Sequence, residues 1–219
     1  MLTHVIAHPG VTEGGTEPLP TVIALHGHGA HGQDLIGLAP HLAGGRALWI
    51  CPQAEFAVEP GYYGYTWFRR DPSSGQRAAE EPARTIEVVR AFIDEAYARY
   101  PVDPARVVLL GFSQGGTLAY RIALGDPKRF VGLAALSTGL AADQAEALRG
   151  IEGIGELPVL VQHGLEDPMI SIDRARETLE HLKVLGVTPE YREYPMGHAI
   201  GQDSAADLSR WLERVLRLG

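Results

Sequence analysis

Short aliphatic runs bounded by glycine and proline alternate along this chain with stretches of helical periodicity, and few folds can use that pattern. A run with no polar alternation needs cover on both faces. That condition is met by parallel strands whose crossover helices pack on either side of the sheet. The runs are Thr21–His26, Ala47–Cys51, Arg106–Gly111, Gly132–Leu136, Pro158–His163 and Glu190–Tyr194, with Thr3–His8 as an edge strand. Helical stripes occupy Pro82–Tyr100, Gln114–Leu124, Asp173–Leu185 and Ala205–Leu218. Pro82 suits a first turn and Asp173 a helix cap. The expectation is a three-layer α/β sandwich.

With 219 residues and no repeat or long linker, residues 1–219 read as a single domain. Two segments fit the alternation poorly. Glu55–Gln76 is a long loop carrying Phe56, Tyr62, Tyr63, Tyr65, Trp67 and Phe68, and Ala141–Glu156 reads as a weak helix and loop. Loops this long inside a compact domain are usually functional or mobile.

Charge narrows the function classes. The net charge is −8 and no basic run exceeds two residues, as at Arg69-Arg70. Nucleic acid needs clustered cations to displace counterions, so no nucleic-acid partner is expected. The sequence has no apolar stretch long enough to span a bilayer, no polybasic anchor, and no signal-like start in Met1–Val5. The lone Cys51 cannot form an internal disulfide, and free cysteine is mostly a buried filler. A cytoplasmic protein without a membrane anchor is expected.

The chemistry centres on Gly111-Phe112-Ser113-Gln114-Gly115, a G-x-S-x-G between a buried run and a helical stretch. On such a strand–turn–helix elbow the serine Oγ stands above the sheet, and the glycines relieve crowding. The Gln114 amide then sits unpaired at a helix start, suited to an oxyanion. A serine hydroxyl needs a base, and on elbows of this kind acid and then histidine follow the serine in sequence. Of the later histidines, His181 lies within a helix and His163 ends a strand. His198 lies in a loop after a strand, where sites in open parallel sheets are found. Asp167, just past the strand ending at His163, is the acid. Its neighbour Glu166 competes, while Asp126, Asp143, Asp173, Asp203 and Asp207 read as caps or surface charges.

A second oxyanion amide is expected from the loop after the first long strand, Gly27-His28-Gly29, where His28 offers its backbone N–H. His26, His28 and His31 also have the spacing of a zinc cluster, which makes a zinc hydrolase the rival enzyme class. The serine site already accounts for this loop, so no metal or cofactor is expected. A non-catalytic binding protein of the same fold is the third reading.

Together these residues resemble the phospholipase/carboxylesterase family of α/β-hydrolases, which includes acyl-protein thioesterases. The resemblance runs from Val22 to Leu212. It rests on Leu25-His26-Gly27-His28-Gly29, Gly111–Gly116, Leu136-Ser137-Thr138-Gly139, His163–Pro168 and Gly197-His198-Ala199-Ile200. It implies an α/β-hydrolase fold with little lid and a Ser113–Asp167–His198 triad, with oxyanion amides at His28 and Gln114. The implied activity is metal-independent hydrolysis of esters or thioesters of short to medium acyl chains, in a protein that frequently dimerises. Trp67-Phe68 resembles the family's Trp-Phe pair near the acyl pocket, although Arg69 stands where an aspartate is expected. Tyr65, Trp67, Phe68 and Met169 are the substrate-binding candidates, with core packing as the competing use of the aromatics.

Overall fold

The computed structural model describes residues 1–10, 17–59, 61, 63–68 and 81–219, with only the backbone of Glu81 and Pro82. Its centre is a seven-stranded sheet. β1 (His4–Ala7), β2 (Leu19–Leu25), β3 (Leu48–Pro52), β6 (Val102–Phe112), β7 (Gly132–Leu136), β8 (Val159–Gly164) and β9 (Glu190–Tyr194) lie in the order β1-β3-β2-β6-β7-β8-β9. Only the edge pair β1–β3 is antiparallel among these. A separate two-stranded hairpin joins β4 (Phe56–Ala57) to β5 (Tyr65–Thr66) within the long aromatic loop.

The period-two geometry of the strands divides the core into two clusters, one on each face. Ile23, Leu25, Val107 and Leu109 face a cluster with α2 (Glu81–Arg99), α3 (Gln114–Ala123) and α5 (Ile172–Val184). Their neighbours Val22, Ala24, Val108 and Leu110 face the other, with α1 (Gln33–Ile36) and α6 (Gln202–Val215). Fully covered strands have no use for polar alternation, which is why these runs read as continuous. Packing across the second face is close. A Cβ on Gly132 would lie 2.6 Å from the Trp211 ring, so the glycine opens the slot that this indole fills.

Some boundaries differ from the sequence reading. β6 begins four residues early because Leu19 pairs with Val102 across an irregularity in register. Asp103-Pro104-Ala105 looks like a turn in sequence. Here Asp103 accepts the Ala105 amide and pairs with Arg106 without ending the strand. Ser171, not Asp173, is the N-cap of α5, and Asp173 lies in its first turn. The weak helix is α4 (Ala142–Glu146).

The chain runs outward from β2 to β3 and then crosses back to β6, so the strand order reverses between β2 and β6. Their ends are aligned, Leu25 opposite Gly111. Ligand sites of open α/β sheets lie in the crevice at such a reversal.

Candidate active site

Ser113 follows β6 directly and caps α3 with φ 53° and ψ −119°, a conformation that L residues rarely adopt. Such strain persists only where the surroundings enforce it, and it collects at functional sites. Here the enforcement is visible. A Cβ on Gly111 would lie 2.3 Å from the Gly115 oxygen, and one on Gly115 would lie 2.2 Å from the Leu25 oxygen. The turn therefore presses strand, helix start and neighbouring strand together, with glycine the only residue small enough at both points. The Ser113 amide donates to the Leu136 carbonyl at 2.9 Å, anchoring the elbow to β7.

The β2 end meets this elbow. A Cβ on Gly27 would lie 3.3 Å from the Ser113 Cβ, so the Gly27–His28 backbone runs beside the serine side chain. The loop is held from outside, because the Gly29 amide donates to the Tyr65 carbonyl and the Tyr65 amide to the Ala30 carbonyl. Ser113, Gly27, His28 and His198 line one cavity of about 300 Å³. Leu35, Leu38, Phe112 and Ile200 supply its apolar wall. Gln114 opens α3, so its N–H belongs to the first turn, which has no intrahelical acceptor.

Asp167 and His198 come together from different loops. His198 Nδ1 donates to Asp167 Oδ2 at 2.7 Å. The other carboxylate oxygen accepts the amides of Met169 and Ile170 at 2.8 and 2.9 Å. Burial opposes ionisation of Asp167, but the Ile170 amide, the His198 imidazole and the Met169 amide outweigh it. They hold the carboxyl below its ordinary value. The Phe112 ring lies 4.9 Å from the imidazole, fixing its other side. Glu166, the sequence competitor, is exposed. The Ser113 hydroxyl has no hydrogen-bond partner among the described residues, although it shares the cavity with His198.

His26, His28 and His31 do not form a metal set among the described residues. Both ring nitrogens of His26 are engaged, Nδ1 donating to the Gly27 carbonyl and Nε2 accepting the Ala54 amide. Burial pushes its pKa down to about 4, so it is neutral at pH 7. His31 instead pairs with Asp34 at 3.2 Å.

The candidate substrate residues fall in different surroundings. Trp67 and Phe68 are buried in the core beside α2, and neither lines the cavity. Tyr65 is half-buried and serves through its backbone bonds to the Gly29–Ala30 loop. Met169 is 74% exposed on the turn after Asp167. Tyr62 and Arg69 lie outside the described residues. Leu35 and Leu38, one helical turn apart just after the histidine-rich loop, line the cavity. That spacing is readable in sequence, but nothing local shows that α1 folds over the elbow. The Gln114 side chain was also missed. Its Oε1 accepts the Trp67 amide at 2.9 Å and its Nε2 donates to Thr66 Oγ1 at 3.0 Å, tying the elbow to the aromatic segment.

A model of the phospholipase/carboxylesterase family matches residues 6–216, and the chain belongs to this family of α/β-hydrolases. Carboxylesterase SOBER1 of Arabidopsis thaliana is 32% identical over 179 residues, 78% of this chain and 78% of its own length. A protein of Oryza sativa subsp. japonica named "probable inactive carboxylesterase" is 30% identical over 207 residues, 89% of this chain and 84% of its own. Acyl-protein thioesterase 1 of Gibberella zeae is 31% identical over 118 residues, 52% of this chain and 50% of its own. Among solved structures, that of SOBER1 superposes with a TM-score of 0.72 at 26% identity, covering 90% of this chain and 98% of its own. Esterase PE8 superposes at 0.77 with 24% identity, covering 98% of each chain, and speaks for the fold alone. No helix among the described residues is long and apolar enough to cross a membrane.

Proposed function

We propose that this chain is a serine hydrolase of carboxylic esters, with thioesters as alternative substrates, and that Ser113, His198 and Asp167 are its catalytic residues. The observation that carries the reading is the 2.7 Å bond from His198 to Asp167, with His198 and the strained Ser113 facing one cavity.

In this mechanism Ser113 Oγ attacks the acyl carbonyl carbon as His198 Nε2 takes its proton, and Asp167 steadies the imidazolium. The oxyanion accepts hydrogen bonds from the backbone N–H groups of His28 and Gln114. The tetrahedral adduct collapses with release of the alcohol or thiol, which takes the proton from His198. Water then attacks the acyl-serine, giving its proton to His198, and the carboxylic acid leaves as Ser113 is reprotonated. The Ser113–His198 contact closes when substrate binds, as catalytic hydrogen bonds commonly do. A cavity of about 300 Å³ with walls of Leu35, Leu38, Phe112 and Ile200 suits a short to medium acyl group.

The test is intact mass after exposure to a fluorophosphonate, with peptide mapping and an unfolded control. One adduct on Ser113, absent from the unfolded chain, is the expected result. Folded protein that takes up no adduct from even a small probe would overturn the reading and favour a binding role, in line with the inactive name of the rice relative.

A further inference from the structure

The turn that carries Asp167 has little packing of its own. From Leu165 to Ile170 only Asp167 is buried, while Leu165 is 46% and Met169 74% exposed. The Leu165 and Met169 side chains point to water, so hydrogen bonds must fix much of where the carboxylate stands. Two anchors come from the His198 loop and β9, since the Leu165 amide donates to the Tyr194 carbonyl and the Glu166 amide to the Met196 carbonyl. The far side of the turn, Pro168–Ile170, is held differently.

There the contact comes from below. His163, in β8, is fully buried, and its Nε2 lies 2.8 Å from the Ile170 carbonyl and 3.5 Å from Asp167 Oδ2. Both oxygens only accept, so Nε2 carries the proton and the tautomer is fixed. The opposite nitrogen, Nδ1, is buried with no hydrogen-bond partner among the described residues. A buried polar atom left unpaired is destabilising, and an apolar side chain of similar size would avoid that cost. The imidazole therefore has a use that outweighs the orphaned nitrogen, and among the described residues its hydrogen bonding is with the Asp167 turn. Ile170 is bonded at both ends, its N–H to Asp167 Oδ1 and its C=O to His163. The carboxylate thus stands between two imidazoles, His198 above and His163 beneath.

We propose that His163 is a positioning residue for the Asp167–His198 pair. Its Nε2–H, aimed between the Ile170 carbonyl and Asp167 Oδ2, holds the 165–170 turn where Asp167 meets His198 Nδ1. His163 touches no substrate and transfers no proton. The inference rests on the serine-hydrolase reading above.

Two variants separate this role from space filling. His163→Leu keeps the bulk and removes the donor, whereas His163→Gln keeps a donor of similar reach. With a 4-nitrophenyl ester, H163L is expected to lose about 10- to 100-fold in kcat with KM within about 2-fold, the scale of a small misplacement of a catalytic group. H163Q is expected to stay within about 5-fold of the parent. An H163L variant within about 2-fold of the parent kcat, or equal losses in both variants, would overturn the proposal. Should H163L fail to fold, nitrogen-15 histidine NMR of the parent protein at pH 8 decides. A protonated Nε2 with bare Nδ1 at His163 is expected, and the opposite tautomer refutes the geometry. Fluorophosphonate labelling of the parent keeps the two readings apart. An unlabelled parent removes the serine-hydrolase reading, while a labelled parent with an unimpaired H163L removes only the role of His163.

Discussion

Trp67 Nε1 donates to the main-chain carbonyl of His26 at 2.8 Å, and the indole lies 5.1 Å from the His26 imidazole. This bond reaches the β2 end one residue before the Gly27–His28 backbone that borders Ser113. Trp67 is therefore a buttress behind the proposed oxyanion loop and is not among the residues lining the cavity.

Replacing Trp67 by Phe keeps most of the packing and leaves the His26 carbonyl without its donor. A buried acceptor stranded in this way costs about 1–3 kcal/mol. Urea unfolding should show a loss of that size. Because the oxyanion amide is displaced as well, kcat should fall while KM changes little; an unchanged kcat would place the buttress role in doubt.

Ser113→Ala should lower kcat by at least about 10⁴-fold, as for other members of such triads. Alanine keeps the Cβ that this strained backbone already accommodates, and the fold should survive the substitution. Circular dichroism and melting of the variant check that the loss is chemical. Near-full activity in a folded variant would rule out the serine as nucleophile.

Gly115→Ala tests the elbow's crowding. The new Cβ would meet the Leu25 oxygen at 2.2 Å, and that atom is backbone in the central strand with no room to retreat. Overpacking of this kind costs about 1–3 kcal/mol or more, which lowers Tm by roughly 2–12 °C in a chain of this size. Activity should drop further than stability, since the shift falls beside Ser113. Calorimetry and a single rate measurement are enough to check both.

His26 makes folding sensitive to mild acid. Burial lowers its pKa to about 4 in the folded chain, against an ordinary value of about 6.5 when unfolded. The unfolded chain thus binds the extra proton first. Stability is full above about pH 6.5 and declines as pH falls toward 4, by about 3 kcal/mol at one pKa unit per 1.36 kcal/mol. Protonation would also set an N–H against the Ala54 amide that His26 now accepts. Carboxylates held low, such as Asp167 and Asp207, lose their contributions only below the ordinary carboxylate range. Urea unfolding at pH 7.0, 5.5 and 4.5 reads the difference, and a level profile would refute it.

Asp167 also shapes the acid limb of activity. Asp167 remains a carboxylate below its ordinary range, because the amides of Ile170 and Met169 and the His198 imidazole outweigh the burial that opposes ionisation. Asp167 should then add no protonation step as pH falls toward 5, and the acid limb of log kcat/KM should not exceed a slope of one. A slope of two would show Asp167 taking a proton in the same range.

The sequence by itself determined the layered fold and the elbow. Uninterrupted aliphatic runs such as Val107–Leu110 can be satisfied only under two covering layers, and Gly111, Gly115 and Ser113 encode a local turn whose crowding needs no distant partner. The meeting of His198 and Asp167 was legible for a related reason: each follows a strand, and parallel strands bring their C-terminal ends to one edge of the sheet. What lines the cavity was decided only by the tertiary structure. Leu35, Leu38 and Ile200 reach Ser113 through the docking of α1 and the loop before α6, contacts with no sequence periodicity of their own. Trp67 and Phe68 look like pocket aromatics in sequence, but burial against α2 and a bond to a main-chain oxygen place them behind the site. His163 reads as the end of a strand until the fold curls the Asp167 turn back over it. Local patterns encode the backbone because their forces act over a few residues. Side-chain assignment to site or core depends on which elements finally pack together.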